Sequence, residues 1–231
     1  MSSYVIGDIH NDNYKFETIL KKISVSPDDH VYLLGDLFDR CETRPDPVGV
    51  YFNVLKLGDR VTVVAGNHDI WLSQYIDEYL ATPERKREKL RPHHYNTFSL
   101  MRERLTDVDL NAISEFIKNF PLQIELGIAG EKYLLAHAQT CNPEVKENVS
   151  YHVMGNGDDS FFSHGISGYT SICGHTDSSF MCKYGGNFSD PRSSSIWRNN
   201  LGNVIMIDCG CGFESGKLAC LCIETGEEYY V

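Results

Sequence analysis

The stretch Leu33-Leu34-Gly35-Asp36-Leu37-Phe38-Asp39-Arg40 decides the fold. An apolar run ends abruptly in Gly35-Asp36, and a second aspartate and an arginine follow within four residues. Apolar runs that end in a small residue are typical of buried strands in a parallel sheet. Asp36 is therefore expected just past the carboxyl end of such a strand, where open α/β sheets bind their ligands.

The same pattern occurs on either side of this stretch. Tyr4-Val5-Ile6-Gly7-Asp8-Ile9-His10 comes before it, and Val61-Thr62-Val63-Val64-Ala65-Gly66-Asn67-His68-Asp69 comes after it. Apolar residues at helical spacing lie in both intervals. The order strand-helix-strand-helix-strand indicates an α/β sheet with right-handed crossovers. Three strand ends of one type predict a shared site with Asp36 at its centre.

The rest of the chain changes character twice. From Ile70 to about Asn119 no strand is evident and several helices are expected; later strands end at His137, His175 and Asp208. We therefore expect a single domain over residues 1–231. It would be a two-sheet sandwich flanked by helices, α/β in its first half and largely β in its second, with a small helical cap insertion at about 70–120.

Lysines and arginines concentrate in this predicted cap. Seven of the 21 lysines and arginines of the chain lie between Arg85 and Arg104, and Arg87 and Arg91 are among them. One interpretation is an ordinary solvated helix face with i,i+4 ion pairs. The other is a cap that offers positive charge to a phosphorylated substrate. The sequence slightly favours the first interpretation and leaves the second open.

Bulk composition excludes several classes of partner. The chain has 231 residues, is 42% hydrophobic and carries a net charge of −11. Such a field repels polyanions, so neither a nucleic-acid polymer nor a membrane surface is an expected partner. No apolar run reaches 18 residues, and the first strand begins by Tyr4, which leaves no room for a secretory signal. A cytoplasmic protein is expected, and small phosphorylated substrates remain possible.

The eight cysteines are expected to be reduced. Cys209 with Cys211 and Cys220 with Cys222 have the spacing that places two side chains on one face of a strand. They could form a thiolate metal site, or they could be small buried side chains in a hairpin. The second interpretation is favoured because zinc sites ordinarily use the spacing C-x-x-C.

The polar residues at the strand ends form a possible metal-ligand set. The candidates are Asp8, His10, Asp36, Asn67, His137 and His175. Such mixed oxygen and nitrogen ligands suit Mn, Fe or Zn, and often two ions that share a bridging carboxylate. Two metals about 3.5–4 Å apart can lower the pKa of a water molecule between them and neutralise an oxyanion opposite. Hydrolysis of phosphate esters by in-line attack needs this arrangement.

At these residues the chain resembles the calcineurin-like metallophosphoesterases. Five blocks match, namely Gly7-Asp8-Ile9-His10, Gly35-Asp36-Leu37-Phe38-Asp39-Arg40, Gly66-Asn67-His68-Asp69, His137-Ala138 and Gly174-His175-Thr176. A closing block follows them at Ile207-Asp208-Cys209-Gly210. Their order and the chain length are most similar to the short phosphoprotein phosphatase branch. That branch includes the phage lambda phosphatase, bacterial Ser/Thr phosphatases and symmetrical diadenosine tetraphosphate hydrolases. The resemblance implies a four-layer α-β-β-α sandwich of two mixed sheets.

The resemblance also implies a role for each site residue. Asp8 and His10 would bind the first metal, Asp36 would bridge both, and Asn67, His137 and His175 would complete the second. A metal-bridging hydroxide would attack the phosphorus directly. His68 would protonate the leaving group, Asp39 would orient His68, and Arg40 would hold phosphate oxygens. A histidine suits proton transfer near neutral pH. Two divalent ions are implied, with Mn²⁺ expected and Fe or Zn as alternatives.

The chain departs from the branch at several positions. Ala65 stands where a phosphate-binding arginine is frequent, and no arginine occurs between Leu105 and Pro191. Arg40 would then be the only clamp of the family type, unless Arg192, Arg198 or a cap arginine substitutes. Asp69 replaces the usual Glu, and Cys41 a frequent Gly. The loop histidines His152 and His164 are expected to be bystanders.

Three functions follow from these observations. The first expectation is a metal-dependent hydrolase of phosphomonoesters, acting as a Ser/Thr protein phosphatase on phosphoproteins. The alternative is a nucleotide hydrolase that splits symmetrical dinucleoside tetraphosphates, for which cap cations would matter more. The third is a weakly catalytic phospho-binding regulator, which the missing arginines suggest and the intact ligand set opposes.

Overall fold

The computed structural model describes residues 1–155, 157 and 159–231 and contains two mixed β-sheets. The first sheet has the strand order β11-β10-β1-β2-β3. Its strands are β1 (Ser3–Ile6), β2 (His30–Leu33), β3 (Val61–Val63), β10 (Ala219–Cys222) and β11 (Glu228–Tyr230). The three early strands are parallel, and the carboxyl-terminal hairpin joins them antiparallel through β10.

The second sheet has the order β4-β5-β6-β9-β8-β7. Its strands are β4 (Gln123–Ile128), β5 (Glu131–Ala136), β6 (Thr170–Cys173), β7 (Asn187–Phe188), β8 (Trp197–Arg198) and β9 (Val204–Met206). Strands β5, β6 and β9 are parallel, so their carboxyl ends meet at one edge of the sheet.

Eight α-helices lie in the described residues. They are α1 (Asn13–Ile23), α2 (Pro47–Leu57), α3 (Asn67–Ala81), α4 (Glu84–Arg87), α5 (Thr97–Arg102), α6 (Asp107–Lys118), α7 (Val149–Met154) and α8 (Ser160–His164). Asp12 caps α1 by accepting a hydrogen bond from the Lys15 amide. Short 3-10 turns occupy Gly58–Arg60 and Ser178–Tyr184. Every one of these helices is too short or too polar to cross a bilayer.

Apolar side chains alternate between the two faces of each strand, so that each sheet contributes to two layers of the core. Ile6 and Leu33 point into a core shared with the helices α1, α2, α3 and α6, whereas Val5 and Leu34 point into a core between the two sheets. A third cluster, which includes Trp197, covers the outer face of the second sheet with α8. Successive strand residues face opposite sides. The predicted α-β-β-α sandwich of two mixed sheets is therefore confirmed.

Residues 70–119 contain only helices and turns, as the sequence predicted. Helix α6 packs on α3 through buried side chains that include Ile113 and Ile76, so this segment shares the core of the first sheet. That the chain is one domain with a cap insertion stays a prediction.

The cysteine pairs do not converge. Cys209 lies between the sheets, whereas Cys211, Cys220 and Cys222 face the helical core. Burial raises the pKa of the Cys209 thiol to about 12, which keeps it protonated. Among the described residues no cysteine belongs to a group with metal-ligand geometry. These facts favour the small buried side chains over the thiolate site.

Candidate metal centre

The carboxyl ends of five parallel strands bring the candidate ligands together. Asp8 follows β1, Asp36 follows β2, and Asn67 begins the helix after β3. His137 and His175 follow β5 and β6 of the other sheet. All of these side chains except that of His175 are buried. The site therefore lies where the edges of the two sheets meet, and each sheet supplies part of it.

Two groups of side chains have metal-ligand geometry. Asp8, His10 and Asp36 form one group, and Asp36, His137 and His175 form the other; within each, the ligand atoms lie within 4.8 Å of one another. The His137 Nε2 atom is 3.3 Å from an Asp36 oxygen and 3.1 Å from the Asn67 side-chain oxygen. Asp36 belongs to both groups, which is the position of a bridging carboxylate. The geometry thus brings all six predicted ligands together.

Backbone carbonyls set the tautomers of two imidazoles. The Nδ1 atom of His10 donates to the Phe38 carbonyl at 3.1 Å, and Nδ1 of His137 donates to the Leu34 carbonyl at 2.7 Å. A carbonyl oxygen only accepts, so Nδ1 carries the proton in each ring. The Nε2 atom of His137 then lies 3.3 Å from the Asp36 carboxylate. Nε2 of His10 lies 3.1 Å from the Arg40 guanidinium and 3.8 Å from Asp36. Both rings thus present Nε2 to the site, as metal-ligating histidines do when Nδ1 is held by a carbonyl.

Strained backbone concentrates at this site. Non-glycine residues with positive φ in the described part of the chain number nine. Seven of them, His10, Asn11, Asp36, Asp39, Arg40, Cys41 and His175, lie at the candidate centre. Left-handed backbone is costly for side chains other than glycine and persists where the surrounding structure enforces it. Such strain is frequent at functional sites.

Two glycines allow strands and loops to approach the carboxylates. A Cβ atom on Gly66 would overlap the backbone and carboxylate of Asp36, and one on Gly174 would overlap the carboxylate of Asp8. The small residue before Asn67 and before His175 therefore reflects close packing against the opposite ligand, which explains the recurring glycine of the motifs.

Burial and charge shift the pKa values of the centre in opposite directions. Burial lowers the pKa of His10 to about 3 and that of His175 to about 4. Burial also disfavours charge on His137, but the carboxylates of Asp36 and Asp8 outweigh it and raise its pKa to about 10. Burial and the neighbouring Asp208 raise the pKa of Asp8 well above its usual range. Because a metal binds only the neutral imidazole, metal binding at His137 would release the proton that this ring otherwise holds.

These residues fit a pair of divalent cations. The carboxylates of Asp8 and Asp36 are almost fully buried, and burying such groups costs several kcal/mol unless a cation or proton compensates. The ligand atoms are carboxylate and amide oxygens and imidazole nitrogens, which suit Mn, Fe or Zn. The burial of the two carboxylates and the donor set therefore both agree with a pair of divalent ions at this centre.

Asp39, His68 and Arg40 form a connected set beside the centre. The Nδ1 atom of His68 donates to Asp39 at 3.2 Å, which leaves Nε2 directed toward the carboxylate of Asp36. The Arg40 guanidinium lies 3.1 Å from His10 Nε2 and 3.3 Å from His68 Nε2. The predicted proton donor, its orienting carboxylate and the predicted clamp therefore lie together beside the centre, and their roles stay predictions.

Sequence reasoning missed three residues that lie against Asp39 or His68. The Nδ1 atom of His93 lies 3.5 Å from the second Asp39 oxygen, and the Thr97 hydroxyl accepts from the Asp39 amide at 3.1 Å. The Tyr95 ring packs on His68 with centroids 5.1 Å apart. These residues follow an exposed basic segment, and no spacing connects them with Asp39. The only signal was His93-His94-Tyr95, an aromatic cluster among charged residues.

Most other candidate clamps are engaged elsewhere. Arg192 pairs with Asp190, and Arg198 pairs with Glu228 at 2.6 Å. His152 donates through Nδ1 to the Gln139 carbonyl, and its Nε2 atom lies 4.0 Å from the Cys141 Sγ atom. His164 is exposed at the end of α8, and its Nδ1 atom pairs with the Ser160 carbonyl. Asp69, the substitute for the usual Glu, accepts from the Leu37 amide at 2.9 Å and caps α3. Arg40 is thus the family-type arginine at the centre.

Two mixed sheets with carboxylates and imidazoles at their strand ends have the architecture of a metallophosphoesterase. A family model described as calcineurin-like phosphoesterase matches residues 1–164, and the chain belongs to that family. This membership confirms the resemblance that was stated from the sequence. The match ends before His175, which only the structure joins to the other ligands.

Individual relatives refine this assignment. A symmetrical bis(5'-nucleosyl)-tetraphosphatase of Paracidovorax citrulli is 32% identical over 139 residues, which are 60% of this chain and 44% of the relative. The chain spans less than half the length of the curated relatives it matches.

Solved structures show the same fold. A candidate diadenosine tetraphosphatase covers 100% of this chain and 92% of its own, with a TM-score of 0.67 and 18% identity. A serine/threonine phosphatase of Saccharomyces cerevisiae covers 98% of this chain and 73% of its own, with a TM-score of 0.57 and 14% identity. At these identities the likeness concerns the fold alone.

Proposed function

We propose that the protein hydrolyses dinucleoside tetraphosphates at a two-metal centre and releases two nucleoside diphosphates. The observation that carries this proposal is a pocket of about 410 Å³ next to the centre, lined by Arg40, Tyr95, Asn96 and Phe213 among others. The Arg40 guanidinium lies 5.4 Å from the centroid of the Phe213 ring. An aromatic pocket that begins at a phosphate-binding cation suits a nucleotide.

The relatives support the same substrate class. The sequence placed a Ser/Thr protein phosphatase first and the symmetrical tetraphosphatase second. The curated relatives are symmetrical tetraphosphatases, whereas the protein phosphatase shares the fold at 14% identity. We therefore reverse that order and retain the phosphomonoester activity as a side reaction.

The site residues then divide the work. Asp8, His10 and Asp36 would hold one divalent ion, and Asp36, Asn67, His137 and His175 the other, with Mn²⁺ as the expected metal. Bound ions would lower the pKa of a water molecule and neutralise charge on the phosphoryl oxygens. Arg40 binds a phosphoryl oxygen. His68, oriented by Asp39 through Nδ1, donates its Nε2 proton to the departing oxygen.

A competition assay tests this proposal. Mn²⁺-loaded protein receives diadenosine tetraphosphate and a phosphoserine peptide together, and kcat/KM follows from the release of each product. We expect preference for the dinucleotide, with ADP as the sole nucleotide product. Preference for the peptide would restore the protein phosphatase, and release of AMP with ATP would exclude symmetrical cleavage. Absence of metal-dependent turnover on both would favour the phospho-binding regulator.

A further inference from the structure

A second pocket lies on the other flank of His68. It measures about 220 Å³, and its lining comes from α3 and from residues 91–94. Trp71, Gln74, Tyr75 and Glu78 contribute from α3. Their spacing of three and four residues places them on one face of that helix. The pocket shares no lining residue with the Arg40 pocket.

Trp71 connects this pocket with the candidate proton donor. The Trp71 ring packs against the His68 ring with centroids 4.9 Å apart, and His94 lies 6.2 Å from Trp71 on the side of the pocket. His68 is proposed to protonate the oxygen that departs. Whatever leaves the phosphorus must therefore lie near His68, and the Trp71 ring that packs on His68 forms part of the lining of this pocket.

Arg87 and Arg91, the two arginines that the sequence offered for substrate charge, have different surroundings. Arg87 pairs with Asp107 at 2.8 Å and lies over the Tyr79 ring at 4.3 Å, so it is engaged within the fold. Arg91 is exposed and lines the pocket. Of the two arginines that the sequence offered for substrate charge, the geometry thus selects Arg91.

The side chains that line this pocket could bind the base and the phosphates of a nucleotide. The Trp71 ring offers a face for base stacking, and Arg91 offers a cation for phosphate. Gln74 and Glu78 offer an amide and a carboxylate that can accept hydrogen bonds from an exocyclic amine of a base. Glu78 would repel phosphate, which places the base near Glu78 and the phosphates near Arg91.

We infer that this pocket binds the departing nucleoside diphosphate half of the substrate. The inference rests on the proposed dinucleotide activity and adds to it a second nucleotide site. The transferred half occupies the Arg40 pocket, and the departing half occupies the Trp71 pocket. During the step the bond from phosphorus to the bridging oxygen breaks, water supplies the new oxygen, and the departing diphosphate takes the His68 proton.

The test compares Arg91→Met and Trp71→Ala with Arg85→Met. Arg85 is an exposed arginine on α4 outside the pocket, and its variant is the matched control. For each Mn²⁺-loaded protein we would measure kcat/KM on diadenosine tetraphosphate and on p-nitrophenyl phosphate, together with the Kd of ADP by calorimetry.

We expect the ratio of the two kcat/KM values to fall about tenfold in Arg91→Met and Trp71→Ala. Loss of one base-stacking contact or one phosphate contact ordinarily weakens nucleotide binding by roughly five- to 100-fold. The Kd of ADP should rise by a similar factor, and Arg85→Met should match the unaltered protein. Exposed Arg91 can be replaced without loss of folding, so the test does not depend on Trp71→Ala.

Two failures are distinguishable. If the unaltered protein splits diadenosine tetraphosphate and both pocket variants keep its ratio and its Kd for ADP, the second nucleotide site is overturned while the activity stands. If the unaltered protein does not split the dinucleotide, the proposed function and the second site fall together.

Discussion

The strand-end centre and the segment 91–97 differ in how the chain holds them. The centre is built from Asp8, Asp36 and His137 at the ends of parallel strands, and its side chains are buried. Residues 91–97 cross over the centre as a largely exposed connection between α4 and α5, of which only Thr97 is buried. The sheets thus fix the candidate metal ligands, whereas a loop supplies residues that lie beside the proposed proton donor and line the proposed substrate pockets. Chemistry and specificity are held by different parts of the fold.

The largest expected effect lies in the centre. Asp36→Asn should lower kcat by about 10³-fold or more, because a shared carboxylate holds ions that supply several kcal/mol of transition-state stabilisation. Metal content by mass spectrometry and turnover of p-nitrophenyl phosphate check this. Chelation of the unaltered protein should have the same effect, and added Mn²⁺ should reverse it. A fully active Asp36→Asn variant with normal metal content would remove Asp36 from the bridging position.

The second largest effect is expected at His68, the proposed proton donor, which lies between the strand-end centre and the segment 91–97. His68→Asn should lower kcat by about 10²–10⁴-fold with the metal content unchanged, as loss of a general acid does. The loss should be greatest on alkyl phosphates, whose departing oxygen needs a proton most. An unaltered kcat on such substrates would show that His68 has no part in proton transfer.

His93 tests whether the crossing segment positions the proton donor. His93→Ala should lower kcat by about 10-fold, since small misplacement of a catalytic group is costly, and KM should change little. His93→Gln keeps a side-chain donor near Asp39 and should recover much of the loss. Equal losses in kcat on aryl and alkyl phosphates would contradict a role exerted through Asp39 and His68.

The smallest effect lies outside both regions, at His30. Its Nε2 atom lies 2.8 Å from the Thr62 hydroxyl, and burial lowers its pKa in the folded state. As pH falls through the unfolded pKa of about 6.5, the unfolded chain binds the proton more readily, so stability is lost below that pH.

His30→Gln should therefore reduce the loss of Tm between pH 7.5 and 5.5. The difference should be less than about 4 °C, the shift that roughly 1 kcal/mol produces in a chain of this size. Scanning calorimetry at both pH values measures it, with the exposed His164→Gln as control. An identical loss in His30→Gln and the unaltered protein would contradict the prediction.

The centre was predictable because its signals are local. Gly35-Asp36 and Gly66-Asn67 each close an apolar strand, and parallel strands must bring their carboxyl ends to one edge. The family and the two-sheet fold followed from these motifs and are confirmed. The order of the two substrate hypotheses was the part that changed, because strand-end motifs carry no information about the pocket around them.

The crossing segment was not predictable in the same way. His93 reaches Asp39 and Arg91 lines a pocket only because residues 91–97 fold back over α3, and neither position carries a repeating pattern. The same holds for the division of the basic residues. From sequence alone, Arg87 and Arg91 were equally plausible substrate-binding cations. The ion pair of Arg87 with Asp107 shows that Arg87 is engaged within the fold.

Sequence by itself determined the α/β class, the strand ends and the set of candidate metal ligands, because strand periodicity and glycine-aspartate endings lie in consecutive residues. Only the tertiary structure decided how the second sheet brings His175 to Asp36, which arginine remains at the site, and that Trp71 and Tyr95 enclose His68. Those contacts join residues distant in the chain, and their geometry depends on packing between layers rather than on any local pattern.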